Sequence, residues 1–200
     1  MKCCLIFSFP GSEGREHHSE IFQSCSELMI GMNKAPFPII AEVNGIAAAA
    51  GCQFVASCDI VIASDKSSFV TPGANFGIFC STPGIPLVRN TPKKVAADML
   101  LTGLPLSARE AFNAGLVSAV VPEEDLQMET QKRVDAICNK SRSVVELGKK
   151  FMYEQISLPL EDAYRFGKKV MVDNVNMKDG QEGIQSFIQK RKPVWTHERE

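Results

Sequence analysis

Apolar residues recur with two different periods along the first third of the chain. Segment 16–35 repeats them every three or four positions before two prolines, which predicts an amphipathic helix. The runs "PIIAEVNG" (38–45) and "DIVIAS" (59–64) are short and rich in β-branched residues, which predicts buried strands. Between them, the small residues 47–51 predict the start of a helix that runs through Cys58.

The pattern continues with shorter elements and then becomes purely helical. A strand fragment breaks at Pro72-Gly73, and "IFCSTPGIP" (78–86) is interpreted as a loop rich in proline and glycine. Segment 91–139 predicts two capped helices, a strand and a third helix, and only helices are predicted from Ser143 onward. Loops that follow strands are where functional sites are usually built.

Two residue pairs have the spacing of a capping box, in which a side chain at the helix start and a glutamate three residues later satisfy each other's backbone. They are Ser107 with Glu110 and Asp179 with Glu182. Strands alternate with helices in the first two thirds of the chain, and helices fill the last third. We therefore predict an α/β core over residues 1–140 and a helical C-terminal region over residues 141–200.

Composition excludes several classes of function. The 200 residues are 44% hydrophobic and carry a formal net charge of −1, so no strong field favours nucleic acid or an anionic membrane. The seven cysteines lack zinc-binding spacing, which is typical of a reduced intracellular protein, and we expect no metal site. We find no membrane span, no secretion signal and no transit peptide.

The stretch "GIAAAAGCQF" (45–54) sets its smallest residues where a strand turns into a helix. The first unpaired N–H groups of a helix and its positive dipole end favour a negative oxygen. Small side chains would let a carbonyl approach the N–H of Ala50 or Gly51, as in an oxyanion hole. Close packing between helices would explain the same alanines.

Four stretches together resemble the crotonase family, the enoyl-CoA hydratases and isomerases, over roughly residues 16–195. They are "AEVNGIAAAAGCQFVASCDIVIAS", "SSFVTPGANFGI", "MLLTGLPLSAREAFNAGLVSAVVP" and "DGQEGIQSFIQKRKPVW". The resemblance implies an α/β spiral of ββα units with a C-terminal helical trimerisation region. It also implies acyl-CoA ligands in fatty-acid metabolism, a homotrimer or hexamer, a mitochondrial location, and no cofactor beyond the CoA of the substrate.

Carried onto this sequence, the resemblance places an oxyanion hole at Ala50 and Gly51. It implies acyl-CoA contacts at Ile46, Ala48, Pro72, Asn75, Phe76, Ser81, Phe187 and Lys190.

The sequence departs from the family where hydratases carry two glutamates that hold and activate water. Those positions are Gln53 and Gly73, and neither side chain exchanges a proton near neutral pH. General acid/base catalysis contributes about 10²- to 10⁴-fold for each group. We therefore expect no ordinary hydratase activity, and whether the protein is an enzyme stays open.

Several side chains have two interpretations. Gln53 would orient a water or bind a thioester carbonyl, or it would be bonded to nearby backbone. Cys80 would be a nucleophile or, as we expect without an adjacent base, structural. Lys190 or Arg191 would meet CoA phosphates or belong to a solvated helix end, and Phe187 would cover the acyl pocket or, the favoured alternative, lie in the core.

We find no second oxyanion motif in residues 1–14, so we expect an N-terminally shortened form of a family member. Such a form would lack its localisation signal and would be cytosolic if expressed as such. The sequence predicts an acyl-CoA-binding protein whose reaction is not standard hydration. The alternatives are a non-catalytic acyl-CoA-binding or regulatory module, and an unstable chain with no function of its own.

Overall fold

The computed structural model describes residues 12–198. Helix α1 (Ser12–Lys34) lies in one compact unit and is the amphipathic helix predicted from the first apolar repeat. The second unit begins at Ala35. Its strands are β1 (Ile40–Val43), β2 (Ile46–Ala48), β3 (Ile60–Ser64), β4 (Ser68–Val70), β5 (Leu106–Ser107) and β6 (Ala119–Val121).

Helices fill the rest of the second unit. They are α2 (Ala50–Ala56), α3 (Ser81–Asn90), α4 (Lys93–Thr102), α5 (Ala108–Asn113), α6 (Leu126–Cys138), α7 (Arg142–Gln155), α8 (Leu160–Asn176) and α9 (Lys178–Ile188), with 3₁₀ turns at Pro72–Phe76 and Glu123–Asp125. No helix between residues 12 and 198 is long and apolar enough to cross a bilayer.

The strands form two sheets of three. In the first sheet, β3 lies between β1 and β6 and pairs with both in parallel. In the second sheet, β4 pairs in parallel with β2 and antiparallel with β5. Ile62 of β3 and Phe69 of β4 are fully buried, so each central strand supplies a large apolar side chain to the core.

The chain crosses from the first sheet to the second at Asn44-Gly45. Gly45 has a φ of 112°, a backbone conformation that side-chain-bearing residues rarely adopt. The Ser67 hydroxyl donates to the Val43 carbonyl at 2.8 Å and accepts the Gly45 N–H at 3.2 Å. This buried hydroxyl therefore fixes where β1 ends and β2 begins.

The predicted helix start at Ala47 is wrong, because residues 46–48 form strand β2 and the helix begins only at Ala50. β2 pairs with β4, which places Ala47 opposite Phe69. Alanine favours helix locally, but hydrogen bonds to a strand 22 residues away in sequence override that preference.

The predicted loop over residues 78–86 is wrong in its second half, since α3 begins at Ser81. Pro83 lies in the first turn, where a missing N–H costs no helical hydrogen bond. The rest of α3 packs against α2, and Leu87 is fully buried. Tertiary packing therefore makes a helix from a segment whose composition is typical of a loop.

Helices α7 to α9 form the C-terminal region, and the boundary predicted at residue 140 falls between α6 and α7. A buried ion pair joins α7 to the sheets: Lys149 Nζ lies 2.7 Å from Asp59 Oδ2, just before β3. The same carboxylate accepts the Ile39 N–H at 2.6 Å and the Tyr153 hydroxyl at 2.7 Å. Burial and the Asp59 carboxylate raise the pKa of Tyr153, which keeps its proton on this hydrogen bond.

The capping box predicted for Asp179 and Glu182 is wrong, because both carboxylates bind the C-terminal tail (residues 189–198) instead. Asp179 accepts the Thr196 N–H at 2.7 Å and the His197 N–H at 3.0 Å. Glu182 accepts the Arg191 guanidinium, with Nη2 at 2.8 Å, and the Val194 N–H at 2.8 Å. The box predicted for Ser107 and Glu110 is confirmed in both directions.

Candidate functional site

The candidate site lies where β2 and β4 end side by side. Because the two strands are parallel, the segments that follow them leave the same edge of the sheet. α2 follows β2, and the 3₁₀ turn Pro72–Phe76 follows β4. The Ala49 N–H donates to the Val70 carbonyl at 2.9 Å, which ties the two exits together.

Ala49 turns the chain abruptly into α2, with φ 49° and ψ −114°. The first helical hydrogen bond runs from the Gln53 N–H to the Ala49 carbonyl at 3.0 Å. Within the part of the chain that the structure describes, the N–H groups of Ala50 and Gly51 have no acceptor, and both residues are exposed. Two donors at a positive helix end are therefore available to an oxygen ligand.

Gln53 lies on the same first turn and is 5% exposed. Its side-chain amide makes no hydrogen bond to any residue from 12 to 198, so the interpretation that it is bonded to nearby backbone is wrong. A nearly buried amide without a partner in the described chain therefore lies on the same helical turn as the free N–H groups, and such a group is typical of a binding position.

Gly73 has no space for a side chain. A Cβ there would lie 2.6 Å from Cys80 Sγ and would collide with the Ile78 carbonyl oxygen. The Ile78 N–H donates to the Gly73 carbonyl at 3.0 Å, which holds the turn in this shape. The position where the resemblance expects a catalytic glutamate is therefore filled by backbone and by a thiol.

A second thiol lies behind the first turn of α2. Cys52 is fully buried, and burial raises the pKa of its thiol to about 12, with a further contribution from the nearby Cys80. Cys52 therefore stays protonated and sealed, while Cys80 is partly exposed. The influence of Cys80 on the pKa of Cys52 indicates that the two residues are near each other, an arrangement that no sequence motif signals.

The other predicted contact residues fall into two groups. Ala48 ends β2 and Pro72 follows β4, so both lie at the edge where the two strands end. Phe76, which is 65% exposed, closes the 3₁₀ turn after β4, whereas Ile46, which is 76% exposed, begins β2 at the other end of the strand. Asn75 lies against Gly103, where a Cβ would meet its side-chain nitrogen at 2.9 Å. Ser81 is the first residue of α3.

Phe187 and Lys190 belong to the second group, at the end of α9. Phe187 is 86% exposed, so its assignment to the core is wrong, and it borders a cleft of about 500 Å³ with Ile184 and Trp195. Lys190 is exposed, and Arg191 is engaged by Glu182. Among the described residues, no three His, Cys, Asp or Glu side chains are grouped as metal ligands.

The sequence profile of the enoyl-CoA hydratase/isomerase family matches residues 11–198. A relative from Xenopus laevis, enoyl-CoA hydratase domain-containing protein 3, mitochondrial, is 59% identical over 184 residues, or 92% of this chain and 63% of that protein. The chain spans 61–64% of the length of the curated relatives that carry this name.

Solved structures agree with the sequence matches. The crystal structure of human enoyl-CoA hydratase domain-containing protein 3 superposes with a TM-score of 0.90 at 56% identity, covering 91% of this chain and 72% of that one. A Mycobacterium smegmatis enoyl-CoA hydratase also gives 0.90, at 40% identity, covering 94% and 72%.

Proposed function

This chain belongs to the enoyl-CoA hydratase/isomerase family, and from that membership we propose that it binds the thioester group of an acyl-CoA at the start of α2. The predicted crotonase-like α/β fold is confirmed by the structural relatives. The observation that carries the proposal is the pair of N–H groups at Ala50 and Gly51, which have no acceptor within residues 12–198. A thioester carbonyl supplies the oxygen that these donors lack.

Binding at this site would not lead to ordinary hydration. Adding water requires groups that position it and transfer its protons. Gln53 supplies only an amide, and Gly73 has no side chain. Gln53 would instead donate its amide to the thioester or to a bound water. CoA enters only as part of the ligand, and no further cofactor is required.

The filled space at Gly73 supports a second candidate function, a non-catalytic module that holds an acyl-CoA without turning it over. The Ile78 carbonyl and the Cys80 thiol leave no room there for a water held by a side chain from position 73. The two candidates share one binding site and differ in turnover.

Isothermal titration with a saturated and an unsaturated acyl-CoA tests binding, and the ultraviolet absorbance of the enoyl thioester tests turnover in the same samples. We expect micromolar binding of both ligands and no hydration. Failure of both to bind would refute the proposal, whereas rapid hydration would refute the assigned roles of Gln53 and Gly73.

A matched pair of variants locates the site. Ala50→Leu adds bulk at an exposed position beside the free N–H groups, and Ala97→Leu adds the same bulk at an exposed position on α4. We expect Ala50→Leu to weaken binding at least about tenfold, equivalent to ~1.4 kcal/mol. Ala97→Leu should bind like the parent protein, and equal binding by both variants would place the ligand elsewhere.

We also propose that the protein assembles as a homotrimer or hexamer through its C-terminal helices. Large apolar side chains on α8 and α9 are exposed: Leu160 73%, Tyr164 74%, Met171 63%, Phe187 86% and Ile188 66%. Such a surface is typical of one that is covered in an oligomer. Sedimentation of the protein, compared with a Leu160→Lys variant, tests this, and a monomeric parent protein would contradict it.

The relatives named above carry the word mitochondrial in their names. We propose the same compartment for this protein. A fluorescent fusion of the natural gene product, imaged with a mitochondrial dye, tests it, and a diffuse cytosolic signal would contradict it.

A further inference from the structure

Cys80 lies at the edge where the proposed thioester site is built. Its sulfur fills the space over Gly73, and Gly73 follows β4 by three residues. The end of β4 is bonded to the start of α2 through the Ala49 N–H and the Val70 carbonyl. The thiol and the free N–H groups of Ala50 and Gly51 therefore border one region of the surface.

A second feature of this region indicates a ligand independently of the cysteine. Gln53 is only 5% exposed, yet its side-chain amide has no partner within residues 12–198. A buried amide without a hydrogen-bond partner destabilises the fold. A ligand with a polar group at the first turn of α2 would remove that destabilisation.

We propose that the Cys80 thiol adds to the carbon–carbon double bond of an enoyl thioester bound at the start of α2, so that the protein captures this ligand covalently. The proposal rests on the thioester-binding function proposed above. It gives a role to the thiol that fills the space over Gly73. Cys52 does not compete, because it is sealed from solvent.

The addition is balanced without an oxidant or a leaving group. Sulfur forms a bond to the β-carbon of the enoyl group, and the electron pair of the double bond moves onto the thioester oxygen as an enolate. The N–H groups of Ala50 and Gly51 stabilise that oxygen. The proton lost by the thiol ends on the α-carbon, so the product is a thioether that contains every atom of the thioester.

Intact-mass spectrometry of the full protein incubated with crotonyl-CoA tests the proposal, with butyryl-CoA as the saturated control. We expect a mass increase equal to one whole crotonyl-CoA, mapped by peptide analysis to Cys80, and none with butyryl-CoA. Cys138, which is exposed at the end of α6, serves as the comparison thiol. Positioning beside bound thioester should make Cys80 react at least about 100-fold faster than Cys138.

Variants and binding data separate the two proposals. Cys80→Ser should abolish the adduct and still bind butyryl-CoA, and Cys138→Ser should form the adduct at the parent rate. If the parent protein binds butyryl-CoA but Cys80 gains no mass, or gains it no faster than Cys138, covalent capture is refuted and the binding function stands. If neither ligand binds and no adduct forms, both proposals fail.

If Cys80→Ser does not fold, the peptide map of the parent protein decides the outcome by itself.

Discussion

The start of α2 and the C-terminal tail both withdraw polar groups from water, but they satisfy those groups differently. At the tail, Asp179 is 1% exposed and its carboxylate accepts hydrogen bonds from Thr196 and His197. At the start of α2, Gln53 is almost as buried, yet its amide has no partner among residues 12–198. A buried polar group with hydrogen-bond partners stabilises the fold. A buried polar group without partners lowers the stability until a ligand supplies one.

The largest effect should come from breaking the buried pair that holds the C-terminal region to the sheets. Lys149→Ala leaves the Asp59 carboxylate buried at 9% side-chain exposure, and we expect the free energy of unfolding to fall by about 3–5 kcal/mol. Lys150→Ala removes an exposed partner of Glu154 and should change it by less than about 0.5 kcal/mol. Urea denaturation measures both, and equal losses would contradict the difference.

The second-largest loss of stability should come from a substitution that releases the C-terminal tail. Asp179→Ala removes the acceptor of the Thr196 and His197 N–H groups, and we expect a loss of about 2–3 kcal/mol together with release of the tail. Trp195, the single tryptophan, docks there through a bond from Nε1 to the Asn139 carbonyl at 3.0 Å. Its fluorescence reports release. Asp162→Ala, which removes an exposed partner of Arg165, should leave the fluorescence unchanged.

Acid should reproduce that release in the parent protein. Burial opposes the charge on Asp179, but hydrogen bonds from Ser141, Thr196 and His197 outweigh it and lower the pKa to about 2. The ionised carboxylate therefore stabilises the tail at pH values above its ordinary pKa of 3.8. This stabilisation is lost as the pH falls towards 2. Trp195 fluorescence should therefore step between about pH 4 and pH 2, and a step at pH 6 would contradict this assignment.

Alanine substitutions at two glycines test how tightly the candidate site is packed. Gly73→Ala places a methyl group against the Ile78 carbonyl and Cys80, and we expect a loss of about 1–3 kcal/mol as the turn shifts. Gly51→Ala meets no atom within 4 Å and should be neutral or stabilise α2 by up to about 1 kcal/mol. Thermal unfolding of both variants measures the difference, and equal melting temperatures would show that the turn is loose.

The smallest effect on stability should accompany a large effect on binding. Gln53→Met keeps the side-chain length but removes the unpaired amide, so stability should stay the same or rise by up to about 1 kcal/mol. Acyl-CoA binding, measured by titration, should weaken. A destabilised variant with unchanged binding would show that the amide serves the fold and not the ligand.

Local chemistry made some of these features predictable from the sequence. The Ser107 and Glu110 capping box needs only residues three apart, and the structure confirms it. Strand β2 and the Lys149–Asp59 pair depend on partners 22 and 90 residues away, so local propensity did not indicate them. The Asp179–Glu182 spacing predicted the wrong partner because backbone from residues 194–197 displaces the local one.

The candidate site was predictable only in part. Small residues and the family resemblance pointed to Ala50 and Gly51, whose N–H groups the structure leaves free within the described chain. The thiol over Gly73 was not foreseen, because no motif in the sequence pairs Cys80 with position 73. Its place depends on how the turn folds back through the Ile78 N–H, which no pattern in the sequence specifies.

The occupied space over Gly73 also limits what protein engineering can achieve at this position. A mutation that placed glutamate at position 73 would put its first carbon against the Ile78 carbonyl and the Cys80 sulfur. The carboxylate would reach a working position only after the turn had been rebuilt by further substitutions. A single substitution at position 73 therefore does not place a carboxylate at this site, and a design that adds one has to rebuild the turn as well.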